Sequence, residues 1–170
     1  RVDWSSYNGL TQVWGTRLTL DRPNDVQGRL QAEFDLLNPD AEDLPESLQL
    51  AINMQEADAS LVAAFLPTRI LDQDLNEWVL GAVQGGLIRR GSYFYSGVVG
   101  EAADETNSSS QMAFDIQNGT LKFAEDWPAL TELVTQLKIT DDRVSADIAS
   151  ARINGLPVYD GRVELREVAG

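Results

Sequence analysis

Leu48-Gln49-Leu50-Ala51-Ile52-Asn53-Met54 sets four large apolar side chains at alternate positions, with smaller or polar residues between them. Side chains of an extended strand point to opposite faces in turn, so this spacing predicts a β-strand with one wholly apolar face. Upstream, Leu30, Ala32, Phe34 and Leu36 repeat the pattern within residues 26–36, and Leu18 and Leu20 alternate with Arg17 and Thr19. Arg22-Pro23-Asn24-Asp25 supplies a turn between those runs, and the acidic stretch 38–46, with two prolines, reads as a surface loop.

Downstream the period changes. Leu61, Ala64 and Phe65, then Leu71, Leu75, Trp78, Val79 and Ala82, fall at spacings of three and four. This predicts two short helices over 57–66 and 71–83, broken at Pro67-Thr68-Arg69. Asp72 and Asp74 suit the start of the second, and Gly85-Gly86 is expected to end it.

Residues 87–99 return to strand character, with Gly91 and Gly97 as candidate bulges. After an acidic, serine-rich loop over 100–110, Asn118-Gly119 lies between two alternating runs and reads as a hairpin turn. Met112, Phe114 and Ile116 share one face of its first arm; Leu121 and Phe123 share one face of its second. Leu133, Leu137 and Ile139 line the next strand around Thr135, and Asp141-Asp142 turns into Val144, Ala146 and Ile148. A second Asn-Gly turn, Asn154-Gly155, precedes Val163 and Leu165.

The fold expected is mainly β: an antiparallel meander forming a curved or open, groove-like sheet, with two short helices inserted mid-chain. Strands over 1–56, helices over 57–86 and a meander over 87–170 make one structural unit, cut from a longer chain. Strands that each carry one apolar face, with little helix to cover them, must close on themselves, pair with another sheet or leave a groove.

Composition removes more functions than any motif adds. With 170 residues, 43% hydrophobic and 24% charged, the chain has the makings of a folded domain. Its 27 acidic against 13 basic residues give a net charge of −14, which repels a phosphate backbone, so nucleic acid is not an expected partner. The absence of both Cys and His excludes thiol nucleophiles, Ser–His triads, the usual zinc sites and an imidazole switch. No stretch reaches the roughly 20 apolar residues of a membrane-spanning helix. The sequence starts at Arg1 without a signal-like segment, so an anchor or export signal is expected outside it.

The remaining candidates for chemistry are weak. Asp72-Gln73-Asp74-Leu75-Asn76 begins like a calcium loop, but Glu77 occupies the position of the sharp-turn glycine and Val83 that of the bidentate acid. The glycine-rich run Gly81 to Gly86 lacks the Lys-Ser or Lys-Thr of a phosphate loop. Asp104-Glu105 and Asp141-Asp142 are adjacent acids in turns, which are ordinarily solvated rather than held as a glycosidase pair. Tyr93, Phe94 and Tyr95, with Trp4, Trp14, Trp78 and Trp127, would serve packing or, alternatively, a sugar-stacking platform. No enzyme activity, metal or cofactor is expected.

Three motifs carry a resemblance: Phe65-Leu66-Pro67-Thr68; Trp78 followed by Gly85-Gly86 and a strand opening at Ile88 to Gly91; and Asn118-Gly119-Thr120-Leu121-Lys122-Phe123 followed by Trp127-Pro128-Ala129-Leu130. In this order they resemble the middle region of the YhdP family, which is AsmA-like and related to TamB. The likeness covers residues 61–168; residues 1–57 share only a β-rich character, and the acidic loop 101–106 departs from the pattern. The resemblance implies a periplasmic β-structure, anchored at the inner membrane, that bridges to the outer membrane and conducts phospholipid along an apolar groove. It assigns structural roles to Leu66, Pro67, Trp78, Gly85, Gly86, Gly91, Trp127 and Pro128.

The groove-facing residues expected to touch acyl chains are Met112, Phe114, Ile116, Leu121, Phe123, Leu137, Ile139, Val144 and Ile148. Acyl chains would bind there at about 0.8 kcal/mol per buried methylene, without specific polar contacts. The expected partners are phospholipid acyl chains and the rest of the same polypeptide. A closed core, in which Met112, Phe114, Phe123 and Ile139 touch only protein, stands against this, as do a glycan-binding β-sandwich using Tyr93 and Tyr95 and a ligand-free architectural spacer.

Overall fold

Strand pairing follows the chain without a crossover in the computed structural model, which describes residues 1–21, 29–39, 44–59, 73–100, 106–124, 126–140 and 143–166. β1 (Val2–Tyr7), β2 (Leu10–Asp21), β3 (Arg29–Pro39) and β4 (Ser47–Asp58) precede helix α1 (Gln73–Ala82). β5 (Val83–Val98), β6 (Ser108–Leu121), β7 (Leu130–Thr140), β8 (Arg143–Ile153) and β9 (Leu156–Arg166) follow it. The nine strands form one antiparallel sheet in sequential order. Among the described residues β1 pairs only with β2 and β9 only with β8, so the sheet is open and not a barrel.

Two Asn-Gly dipeptides make the tight hairpins. At Asn154-Gly155 φ is 50° and 80°, and at Asn8-Gly9 it is 50° and 73°. Positive φ at both central residues matches the right-handed twist of the flanking strands, and Asn followed by Gly accepts it with least strain. The second hairpin adds a strand, β1, that the sequence reading did not separate from the opening segment.

The third Asn-Gly does something else. β6 runs unbroken through Asn118-Gly119, and Asn118, at φ 50°, occupies a bulge between Ile116 and Gly119 against β7. The expected hairpin is therefore a single bent strand. Arg17 and Glu132, both in the left-handed region, stand at further register shifts in β2 and β7. Such bulges add local right-handed twist and bend the strand, which curls an open sheet about its apolar face.

Gly85-Gly86 is also not a helix stop. α1 ends at Ala82, and both glycines lie in β5, where pairing with β6 shifts register twice between Val83 and Leu87. Gly86 has φ +127°, and a Cβ there would lie 2.7 Å from the Gly119 Cα. The two backbones approach too closely for a side chain. Gly91 and Gly97 sit in regular register on both sides and are not bulges; the extra residues of β5 against β6 are Gln84 and Arg89.

Among the described residues there is one helix, not two. Ala57 and Asp58, expected to open the first, belong to β4; Leu61, Ala64, Phe65 and the break at Pro67 lie outside the described residues. So do the turns at Arg22-Pro23-Asn24-Asp25 and Asp141-Asp142 and the acid pair Asp104-Glu105.

Candidate functional site

Strand register converts the one-dimensional alternation into continuous rows. Leu30, Met54, Gly91, Phe114, Leu137, Ala146 and Val163 stand in line from β3 to β9. A second row runs Leu18, Ala32, Ile52, Tyr93, Met112, Ile139, Val144 from β2 to β8. A third, nearer the helix, joins Ala57, Ile88, Ile116, Thr135, Ile148 and Gly161. No charged residue interrupts these rows, and the Thr135 hydroxyl is satisfied by donating to the Asp147 carbonyl oxygen at 2.9 Å. The sheet thus has one apolar face.

That face is covered unevenly. Met112, Phe114, Ile116, Leu121, Leu137, Ile139, Val144 and Ile148 are buried, Leu137 and Ile139 to 1% exposure, and only Phe123 of the expected contact residues is half-buried. On the same face Val13, Leu18, Phe34, Leu36, Leu48, Leu50 and Ile52 of β2, β3 and β4 are half-buried, and on β1 Val2 and Trp4 reach 55% and 73% exposure. The expected lipid contacts therefore form the packed part of the apolar face. Its accessible parts are on the first four strands and, at the other edge, on β9, where Val158 and Val163 are half-buried and Leu156 is exposed. The same alternation was visible in the sequence but gave no sign of which stretch would be covered.

Tyr93 and Tyr95 point into the apolar face, 7% and 2% exposed, so neither is placed to stack on a sugar, whereas Phe94, Trp4 and Trp127 are exposed. The Tyr95 hydroxyl donates to the Val98 carbonyl oxygen at 2.6 Å. Burial pushes its pKa above the ordinary tyrosine value, and a hydrogen bond with Ser108 partly opposes this.

The opposite face is mainly polar, with Trp14 and Phe94 as large apolar exceptions. One row reads Arg90, Asp115, Gln136, Asp147, Arg162 across β5 to β9. Arg90 reaches Asp115 at 2.6 Å and Arg162 reaches Asp147 at 3.2 Å. This row floors a shallow depression of about 760 Å³ in which each of these arginines is already paired. Such exposed pairs contribute little stability but fix register and solubility.

The family-motif residues fall in three places. Trp78 is on α1, packed against Phe123; Gly85, Gly86 and Gly91 are on β5; Trp127 and Pro128 are exposed in the connection from β6 to β7. Leu66 and Pro67 lie outside the described residues. No helix among the described residues is long and apolar enough to cross a membrane, and no group of three or more acidic side chains there is placed to hold a metal.

A family model described as "YhdP protein" matches residues 1–169. The match includes residues 1–57, where sequence reading alone found only β-rich character. None of the curated proteins and none of the solved structures matches the chain.

Proposed function

The chain belongs to the YhdP family of AsmA-like bacterial envelope proteins, and on that premise we propose that it is a non-catalytic, periplasmic segment of a conduit for phospholipid acyl chains. The observation that carries this reading is the apolar face running without a charge through consecutive strands of an open sheet. A soluble protein gains nothing from leaving such a face half-exposed, since each buried methylene is worth about 0.8 kcal/mol. The half-buried stretch on β2 to β4 is free to take an acyl chain as the protein stands.

Photo-crosslinking side chains at Phe34 and Ile52 in the full-length protein are expected to capture phospholipid in cells. Capture of neighbouring protein alone would sink the proposal.

The burial of Leu137, Ile139 and their neighbours favours a second reading, in which this segment is an architectural spacer. Replacing it by an unrelated spacer of equal length should abolish lipid transport if it is a conduit, and leave it intact if it is not.

A further inference from the structure

The sequence holds three Asn-Gly pairs, and the fold treats them differently. Asn8-Gly9 joins β1 to β2 and Asn154-Gly155 joins β8 to β9, so each edge strand of the sheet is tied to its neighbour through one of them. All four of these residues are exposed and lie outside the strand ladders. Asn118 is exposed as well, but Gly119 is buried and paired with Leu133 of β7.

Asparagine is chemically labile where the next backbone nitrogen can reach its side-chain Cγ, and glycine, without a Cβ, crowds that approach least. The attack requires the peptide unit between the two residues to turn over. At the tip of a two-residue hairpin this leaves the strands in place, because I′ and II′ turns share positive φ at the first central residue and both fit a hairpin. Asn8 and Asn154 each have φ 50° in such a turn. Asn118 has the same φ, but its peptide lies within β6. A Cβ on Gly86 would stand 2.7 Å from the Gly119 Cα and 3.2 Å from the Gly119 nitrogen, so the β5 backbone lies against the atom that would have to attack.

We propose that Asn8 and Asn154 are sites of spontaneous modification to isoaspartate and aspartate, and that Asn118 is protected by the packing of Gly86 on Gly119. The backbone nitrogen of Gly9 or Gly155 gives up its proton and bonds to the asparagine Cγ, closing a five-membered succinimide. The Cγ–Nδ2 bond breaks and the side-chain amide leaves as ammonia. One water then opens the ring, at Cγ to give aspartate or at the main-chain carbonyl carbon to give isoaspartate; nothing is oxidised or reduced. Each event adds a carboxylate, and isoaspartate also adds a methylene to the backbone of a two-residue loop. The pairs that flank the turns, Tyr7 with Leu10 and Ile153 with Leu156, then lose their register. Since β1 and β9 are each bonded to one neighbour, the change loosens the two edges of the sheet and leaves its packed centre intact.

The full-length protein is incubated in mildly alkaline buffer made with heavy-oxygen water, in parallel with a sample unfolded in guanidinium chloride, and both are mapped by peptide mass spectrometry. Ring opening places one solvent oxygen in each product, and isoaspartyl and aspartyl peptides separate on chromatography. In the folded protein the Asn8 and Asn154 peptides are expected to gain the label as an isoaspartyl and aspartyl pair. The Asn118 peptide should react at least about tenfold more slowly, because it must wait for the sheet to open. In the unfolded sample all three should react at similar rates. Converted protein should exchange amide hydrogens faster in β1 and β9 and not in β6. Labelling of Asn118 in the folded protein as fast as that of the two turns overturns the proposal. So do turns that stay asparagine while the unfolded chain reacts, and a chain that reacts in neither state. Unchanged exchange in β1 and β9 after conversion overturns the loosening of the edges.

Discussion

Gly91 and Phe114 face each other across β5 and β6, and a methyl group on the glycine would stand 2.9 Å from the Phe114 ring and 2.6 Å from the Met54 side chain on its other side. The two large side chains meet over the position where a side chain of β5 would otherwise project. Gly91→Ala is therefore expected to overpack the centre of the apolar face and to destabilise the protein by about 1–3 kcal/mol. Chemical unfolding would measure it, and a loss under about 0.5 kcal/mol would mean that Met54 and Phe114 move aside freely.

Gly81 is the opposite case. It lies near the end of α1, exposed, with nothing within 4 Å of the Cβ it would carry. Alanine has the higher helix propensity, so Gly81→Ala should stabilise the helix by up to about 1 kcal/mol. Slower amide exchange confined to α1 is the expected readout.

These glycines mark how far the sequence alone reaches. β4, β7 and β8 were legible because Leu48 to Met54, Thr135 to Ile139 and Val144 to Ile148 alternate between residues that suit burial and residues that suit the outer face, and alternation is a local property of an extended chain. Asn154-Gly155 was legible as a turn, but Asn118-Gly119 has the same chemistry and the opposite outcome. Both asparagines adopt φ 50°, so the local preference is satisfied in either case, and the choice between hairpin and bulge rests with β7 pairing beyond it. Gly85-Gly86 was misread for a similar reason: the need for glycine at Gly86 comes from Gly119 on another strand. Which part of the apolar face would be packed depends on how the whole sheet curls, and no short stretch encodes that.

Arg90 and Asp115 lie 2.6 Å apart on the polar face, with side-chain exposures of 77% and 30%. Water and salt screen such a pair, so Arg90→Ala should cost less than about 1 kcal/mol, and the difference should shrink in 1 M salt. A larger, salt-resistant loss in thermal unfolding would instead assign the Arg90 stem a packing role.

Tyr95 should give the protein an alkaline limit. Its pKa is raised by burial, so the folded state holds the phenolic proton more tightly than the unfolded chain does. The resulting stability is complete below the unfolded value of about 10, and is lost as pH rises from there through the folded value. Tyr95→Phe should flatten that alkaline decline. It should also cost about 1 kcal/mol at neutral pH, because the Val98 carbonyl oxygen loses its donor. An unchanged alkaline profile in urea titrations would assign the decline to other groups.

Leu137 and Leu36 lie on the same apolar face and should respond differently to truncation. Leu137 is 1% exposed at the middle of β7, so Leu137→Ala leaves a cavity and should cost about 2–5 kcal/mol. Leu36 on β3 is half-buried, so Leu36→Ala removes less contact and should cost under about 2 kcal/mol. Their effects on lipid should run the other way. If acyl chains occupy the accessible stretch, Leu36→Ser should lower phospholipid capture by a crosslinker at Ile52, which lies on the adjacent strand opposite Ala32 of β3, while the protein stays folded. Leu137→Ala should lower capture only in proportion to the protein that unfolds. Equal capture by the Leu36 variant and the unmodified protein would show that β3 does not touch lipid, and the half-exposed face would then need a protein neighbour as its cover.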